Sequence, residues 1–117
     1  MEHDEQAAFI QWCGLSLAKY PELKWIHAIP NGGKRGFETA KSLKAEGVKP
    51  GVFDVFLPIS RGIYHGLYIE FKFGKNKLTE EQIEFWNHCV ENNYKVAVCY
   101  FGMEAAKIAV NYLTKGI

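Results

Sequence analysis

Hydrophobic and polar residues recur along the chain with two different periods. Four segments have helical spacing of their apolar positions, at 4–17, 37–46, 79–90 and 103–113. Four shorter segments have the apolar or alternating pattern of strands, at 24–29, 51–57, 66–73 and 95–100. The resulting order, α-β-α-β-β-α-β-α, predicts an α/β domain in which helices flank a mixed β-sheet.

Residues 1–117 are expected to form a single domain with a sizeable core, because 48% of the residues are hydrophobic and 23% are charged. Tryptophans 12, 25 and 86 fall on apolar patterns and are predicted to lie in that core. The cysteines, 13, 89 and 99, are odd in number and form no CxxC motif, so buried apolar roles are expected rather than disulfides or a zinc ribbon.

Two sequence features bear on location. No run of roughly 18 apolar residues is present, and the opening "MEHDEQ" is acidic where a secretory signal would be basic and then apolar. These features predict no membrane association and an intracellular, cytoplasmic location.

The net charge of +1 conceals a segregation of charges. The segment from residue 34 to 77 holds nine basic and four acidic residues and nets +5, which leaves −4 for the remainder. Either this segment is an ordinary solvated surface rich in lysine, or it is a face that binds a polyanion.

Two charges interrupt the apolar strand "YIEFKF", residues 68–73. Because strand side chains alternate between faces, Glu70 and Lys72 point the same way. Asp54 lies inside "GVFDVFL", a second apolar strand expected to be a neighbour. One interpretation is a solvated Glu–Lys pair. The other is that a register placing residue 54 near residue 70 brings two carboxylates and an ammonium together.

Such a group has a specific chemistry. An aspartate among Val and Phe residues needs a positive partner, and a divalent cation is one. Two carboxylates and a backbone carbonyl suit Mg²⁺, which keeps several waters. The cation would activate a water molecule and polarise a phosphoryl oxygen, with the lysine orienting the water or stabilising charge. These residue types therefore predict a phosphodiesterase site.

Four blocks of the chain, in order, resemble the VRR-NUC (virus-type replication–repair nuclease) branch of the PD-(D/E)xK superfamily. They are "AIPNGGKR", "LKAEGVKPGVFD", "GLYIEFK" and "LTEEQIEFW". The match covers nearly the whole chain, and it implies a restriction-endonuclease-like core. It also implies that Asp54 and Glu70 bind a catalytic Mg²⁺ or Mn²⁺ with the main-chain carbonyl of Phe71, and that Lys72 is the catalytic lysine.

The resemblance extends to two further polar residues. Gln82 matches a family glutamine expected near the scissile phosphate, although it is equally placed to form a capping box with Thr79, and the two roles compete for one side chain. The family's first-helix acid corresponds to Glu5 or Glu2, of which Glu5 is better placed inside the helix. Phe53 stands where the family usually has proline, and we expect it to face away from the site.

DNA contacts are expected from a glycine-rich loop and from two lysines after the charged strand. The loop "NGGKRG" could present main-chain N–H groups, Asn31, Lys34 and Arg35 to a phosphate, joined by Lys75 and Lys77. The loop lacks the spacing of a P-loop, which argues against an NTPase. The alternative is a strand-to-helix turn with solvated basic residues.

The resemblance implies a metal-dependent DNA endonuclease that leaves a 5′-phosphate and a 3′-hydroxyl, in a bacterium or a phage-infected host. Because no DNA-binding or helicase domain is appended, we expect a homodimer that cuts branched DNA, specifically four-way (Holliday) junctions. Ile59, Ile63 and Tyr64 are candidates for the dimer interface. Three alternatives are a non-cleaving nucleic-acid-binding module, a nuclease without junction preference and a hydrolase of small phosphate esters.

Overall fold

The computed structural model describes residues 2–30 and 37–117, and in these ranges helices cover a mixed sheet in the predicted order. The helices are α1 (Glu2–Leu15), α2 (Phe37–Ala45), α3 (Glu80–Glu91) and α4 (Gly102–Lys115). The strands are β1 (His27–Ala28), β2 (Val55–Leu57), β3 (Leu67–Phe71) and β4 (Lys95–Cys99). The predicted α/β class is confirmed.

The described strands form one sheet in the order β1-β2-β3-β4. The first two pairings are antiparallel, whereas β3 and β4 are parallel, with α3 as the crossover between them. Val55 pairs with Ile69, so β2 and β3 are neighbours as their patterns predicted. Because β3 and β4 run in the same direction, their carboxyl ends lie at the same edge of the sheet.

Each face of the sheet is buried against helices. On one face, strand residues such as Ile69 and Phe71 pack with Phe9 of α1 and Ala109 of α4 in the main core cluster. On the other face, a smaller cluster lies under α3. It comprises Phe53, Cys89 and Val96, with Tyr68, Leu78, Phe85, Trp86, Tyr94 and Val98 packed against them. Alternate residues of β3 therefore contact different helical layers.

The first strand is shorter than its pattern suggested. A 3₁₀ helix, Pro21–Trp25, occupies the start of the segment, and only His27–Ala28 is extended. Proline at the first helical position fixes a φ suited to this turn, and Ile26 N–H donates to Leu23 O. Trp25 is 57% exposed, so its predicted core position is wrong, whereas Trp12 and Trp86 pack against the two clusters.

The second strand begins at Val55, not at Gly51, because the chain turns through residues 51–54. Phe53 consequently leaves the alternation of the strand and packs against Phe85, with ring centroids 5.3 Å apart. It lies in the same cluster as Tyr68, on the α3 side of the sheet. Phe53 therefore lies on the side of the sheet that also carries Glu70, and not on the opposite side as strand alternation predicted, although its ring packs against α3.

The helical spacing of Ile83, Trp86 and Val90 puts these residues on one stripe that is predicted to face the sheet, but α3 presents a different face. Ile83 and Val90 are about half exposed, whereas Phe85, Trp86 and Cys89 pack into the smaller cluster. Helix α3 therefore packs on the sheet through its aromatic residues and Cys89.

All three cysteines are buried and reduced, which confirms their predicted apolar role. Burial raises the pKa of Cys13 and Cys99 to about 12 and that of Cys89 to about 11. Within the described ranges, no helix combines the length and the apolar character that crossing a bilayer requires.

Candidate active site

The register of β2 and β3 brings Asp54 beside Glu70. Val55 pairs with Ile69, and one further step of the same antiparallel register sets residue 54 opposite residue 70. Asp54 Oδ2 accepts a hydrogen bond of 2.8 Å from the Phe71 N–H. The main-chain carbonyl of Asp54 accepts another, of 2.7 Å, from Ile29 N–H. Both neighbouring strands therefore hold Asp54 at the carboxyl end of β3.

Glu70 and Lys72 form a buried ion pair. Their residues are only 4% and 9% exposed, and Lys72 Nζ lies 3.6 Å from Glu70 Oε2. Strand pairing continues through this point, since Lys72 N–H donates to Cys99 O at 2.9 Å. The alternative of a solvated Glu–Lys pair is wrong, because the pair sits on the side of the sheet that α3 covers.

Gln82 contacts both Glu70 and the cap of its own helix. Its Nε2 donates to Glu70 Oε2 at 2.9 Å, while its Oε1 accepts from Thr79 N–H at 3.0 Å. The Gln82 N–H in turn donates to Thr79 Oγ1 at 3.2 Å, which completes a capping box. The capping box is therefore confirmed, and it coexists with a contact to the carboxylate.

The contact between Gln82 and Glu70 was not foreseen from the sequence. A usable signal exists nonetheless, because Gln82 precedes Phe85, Trp86 and Cys89 by three, four and seven residues. That spacing places a polar side chain on the buried stripe of α3.

The side chain of Glu5, which belongs to helix α1, reaches the start of helix α4. Its Oε1 accepts a hydrogen bond of 2.9 Å from Gly102 N–H, so the carboxylate caps α4 across the interface with α1. Gly102 follows β4, whose end lies beside the end of β3, so Glu5 is at the same edge of the sheet as Glu70. The side chain of Glu2, the other candidate for the first-helix acid, lies outside the described part of the structure.

Of the five residues predicted to bind DNA, two lie within the described part of the chain. Lys75 and Lys77 are exposed on the loop that joins β3 to α3. Asn76, between them, anchors the loop, since its carbonyl accepts a 2.7 Å hydrogen bond from the Tyr100 hydroxyl. The other predicted contacts, Asn31, Lys34 and Arg35, lie outside the described residues.

The chemistry of the oxygen ligands decides which metal would suit the site. Among the described residues, no group of three or more His, Cys, Asp or Glu side chains is arranged to hold a metal ion. Asp54 and Glu70, with the Phe71 carbonyl that the family resemblance adds, would instead offer a small set of hard oxygen ligands. Mg²⁺ and Mn²⁺ fit such a set, because a hard cation can retain several waters.

Comparisons with known proteins agree with this architecture. The family model described as the VRR-NUC domain matches residues 3–101. A solved structure named "VRR_NUC domain protein" is similar to this chain, with 28% sequence identity and a TM-score of 0.78. The similarity covers 96% of this chain and 87% of that chain. A search of curated proteins found no match.

Proposed function

The chain belongs to the VRR-NUC domain family, and from this premise we propose that it is a metal-dependent DNA endonuclease. A nuclease-type function, with DNA as the ligand, follows from the family. One observation carries the metal-dependent chemistry, namely that Asp54, Glu70 and Lys72 converge at the carboxyl end of β3 in a largely buried setting.

In this proposal, Asp54 and Glu70 hold Mg²⁺ or Mn²⁺ together with the Phe71 carbonyl. The cation, when bound, supplies charge neutralisation and lowers the pKa of a water molecule. The protein's own contribution is to hold the carboxylates together, because Phe71 N–H fixes Asp54 and Lys72 offsets the charge of Glu70. The two carboxylates would otherwise repel one another.

Lys72 is proposed to act on the attacking water or on the charge that develops at phosphorus. Its ammonium is buried, so its interaction with a developing negative charge is weakened less by solvent than that of an exposed lysine. The expected products are a 5′-phosphate and a 3′-hydroxyl.

Lys75 and Lys77 are proposed to contact the DNA backbone. Both are exposed and lie a few residues beyond Lys72, so they could contact phosphates that flank the bond to be cut. Asn31, Lys34 and Arg35, at the start of the basic segment, are proposed to add further phosphate contacts. Each phosphate contact should steepen the salt dependence of binding, and removing one lysine should reduce the salt slope by about 1.

The test combines cleavage with metal binding. Asp54→Asn should abolish nicking of plasmid DNA and weaken Mn²⁺ binding in calorimetry, while the protein remains folded. Lys72→Ala should lower the single-turnover rate by about 10²–10³-fold with DNA affinity nearly unchanged. Unchanged Mn²⁺ affinity in Asp54→Asn would contradict the metal assignment, and a Lys72→Ala protein that loses only DNA affinity would make this lysine a phosphate contact.

For the substrate, we propose a homodimer acting on branched DNA, with four-way junctions as the favoured structure. One active site cuts one strand, whereas a two-fold dimer presents two sites that match the two symmetric scissile phosphates of a junction. Ile63 is 72% exposed and could contribute to an interface, whereas Ile59 and Tyr64 pack against the main core cluster.

Light scattering at micromolar concentration and nick mapping on an immobile junction would test this. A dimer should make paired, symmetric nicks in the junction and leave linear duplex largely intact. A monomer that cuts both substrates equally would overturn the junction proposal without affecting the proposed nuclease chemistry.

A further inference from the structure

The first turn of α3 does more than begin a helix. We propose that it is a positioning device for Glu70, in which Thr79 acts through Gln82 to set the orientation of the carboxylate. This inference rests on the proposed function, because it gives Gln82 and Thr79 roles in preparing the metal site. Neither residue needs to contact DNA to fill them.

Aromatic packing fixes the position of Gln82 over β3. One turn further along α3, Phe85 packs edge-on against Tyr68, with ring centroids 5.0 Å apart. Tyr68 precedes Glu70 by two residues and shares its face of the strand. The packing that holds Phe85 on Tyr68 therefore holds Gln82 above Glu70, which explains why the buried stripe of α3 begins with a polar residue.

The capping box fixes which end of the Gln82 amide meets the carboxylate. An amide has one acceptor end and one donor end. Thr79 N–H donates to Oε1, so Nε2 is the end that points at Glu70. A flipped amide would lose the hydrogen bond to Thr79 and would set an oxygen against the carboxylate. The main chain of Thr79 thereby determines which end of the Gln82 amide contacts Glu70, although Thr79 takes no direct part in that contact.

A neutral donor suits a carboxylate that must also bind a cation. Lys72 and Gln82 both approach Glu70 Oε2, at 3.6 and 2.9 Å. A second ammonium in place of the amide would cancel the negative charge that attracts the metal. The amide instead orients Glu70 and leaves the net charge of the site unchanged, as the outer partners of metal ligands commonly do.

The experiment measures Mn²⁺ affinity by calorimetry without DNA, for Thr79→Val, Thr79→Ser, Gln82→Met and the double variant Thr79→Val/Gln82→Met. Gln82→Met should weaken Mn²⁺ binding about 10-fold or more. Thr79→Val keeps the main-chain N–H that donates to Gln82 Oε1 but removes the hydroxyl that accepts from the Gln82 N–H. The capping box then loses one of its two hydrogen bonds and holds Gln82 less firmly, so Mn²⁺ binding should weaken severalfold. Thr79→Ser, which keeps both groups, should bind like the wild type. The double variant should match Gln82→Met, because Thr79 acts only through that residue.

Two controls separate positioning from a loss of stability. Thermal unfolding of each variant confirms that binding is measured on folded protein. Cys89→Ala removes a buried group from the same helix, away from Glu70, and should lower the melting temperature without changing Mn²⁺ affinity. If Cys89→Ala weakens binding as much as Thr79→Val does, the effect is one of stability and the inference is overturned.

The remaining outcomes are also distinct. Normal Mn²⁺ affinity with weakened DNA binding in Gln82→Met would make this residue a phosphate contact and would overturn the positioning role. If the wild-type protein itself binds no Mn²⁺ and cuts no DNA, the proposed function fails. If the wild type binds and Asp54→Asn does not, while Thr79→Val and Gln82→Met are normal, only the further inference fails.

Discussion

Replacing Lys72 by methionine tests whether the charges at the end of β3 are truly buried. Methionine keeps the unbranched shape of the side chain and removes the ammonium, so Glu70 would retain its negative charge in a poorly hydrated position. We therefore expect Lys72→Met to lower the free energy of unfolding even in the absence of metal and DNA.

The magnitude follows from the geometry. The side chains of Lys72 and Glu70 are only 11% and 5% exposed. Breaking a buried ion pair by removing one partner typically costs about 3–5 kcal/mol. Two features favour the lower end of that range. The 3.6 Å separation exceeds a direct hydrogen bond, and Gln82 still donates to Glu70 in the variant. A loss of about 3 kcal/mol should lower the melting temperature of a chain of this size by roughly 10 °C.

Urea denaturation of Lys72→Met, Glu70→Gln and the double variant provides the assay. The double variant should lose less stability than the two single variants combined, because it leaves no isolated charge behind. Lys107→Met, on the exposed side of α4, is the matched control and should change stability by less than about 0.5 kcal/mol. A similarly small change in Lys72→Met would refute the reasoning, since it would show that water solvates the pair.

Two further predictions concern the core. Gly102→Ala should destabilise the protein although alanine is the better helix former, because the new Cβ would lie 2.8 Å from the Glu5 carbonyl oxygen. Thermal unfolding would measure this effect, and a rise in melting temperature would contradict it. Burial raises the pKa of Cys13 and Cys99 from 9.0 to about 12. The stability that these two neutral thiols contribute should therefore be complete below pH 9 and lost as the pH rises toward 12. In native protein at pH 8, a thiol reagent should label them only as fast as the protein unfolds. Rapid labelling would show that they are accessible.

The sequence alone determined the features that depend on local spacing. A period of two places Glu70 and Lys72 on one face of β3, and this holds wherever the strand lies. The capping box of Thr79 and Gln82 follows from a three-residue spacing, and the order of helices and strands from apolar periodicity. These patterns, with the four blocks of family resemblance, were enough to identify the fold and the candidate site.

The tertiary structure decided everything that depends on contact between distant segments. Whether Asp54 meets Glu70 depends on the register of two strands, since a slip of one residue would turn one carboxylate to the opposite face. The bend before β2 moves Phe53 into the cluster under α3, and Glu5 caps a helix 97 residues further along the chain. Likewise, Gln82 reaches Glu70 only because aromatic side chains dock α3 on the sheet. Local patterns leave such choices open, because the free energy that decides them comes from packing between elements that the sequence holds far apart.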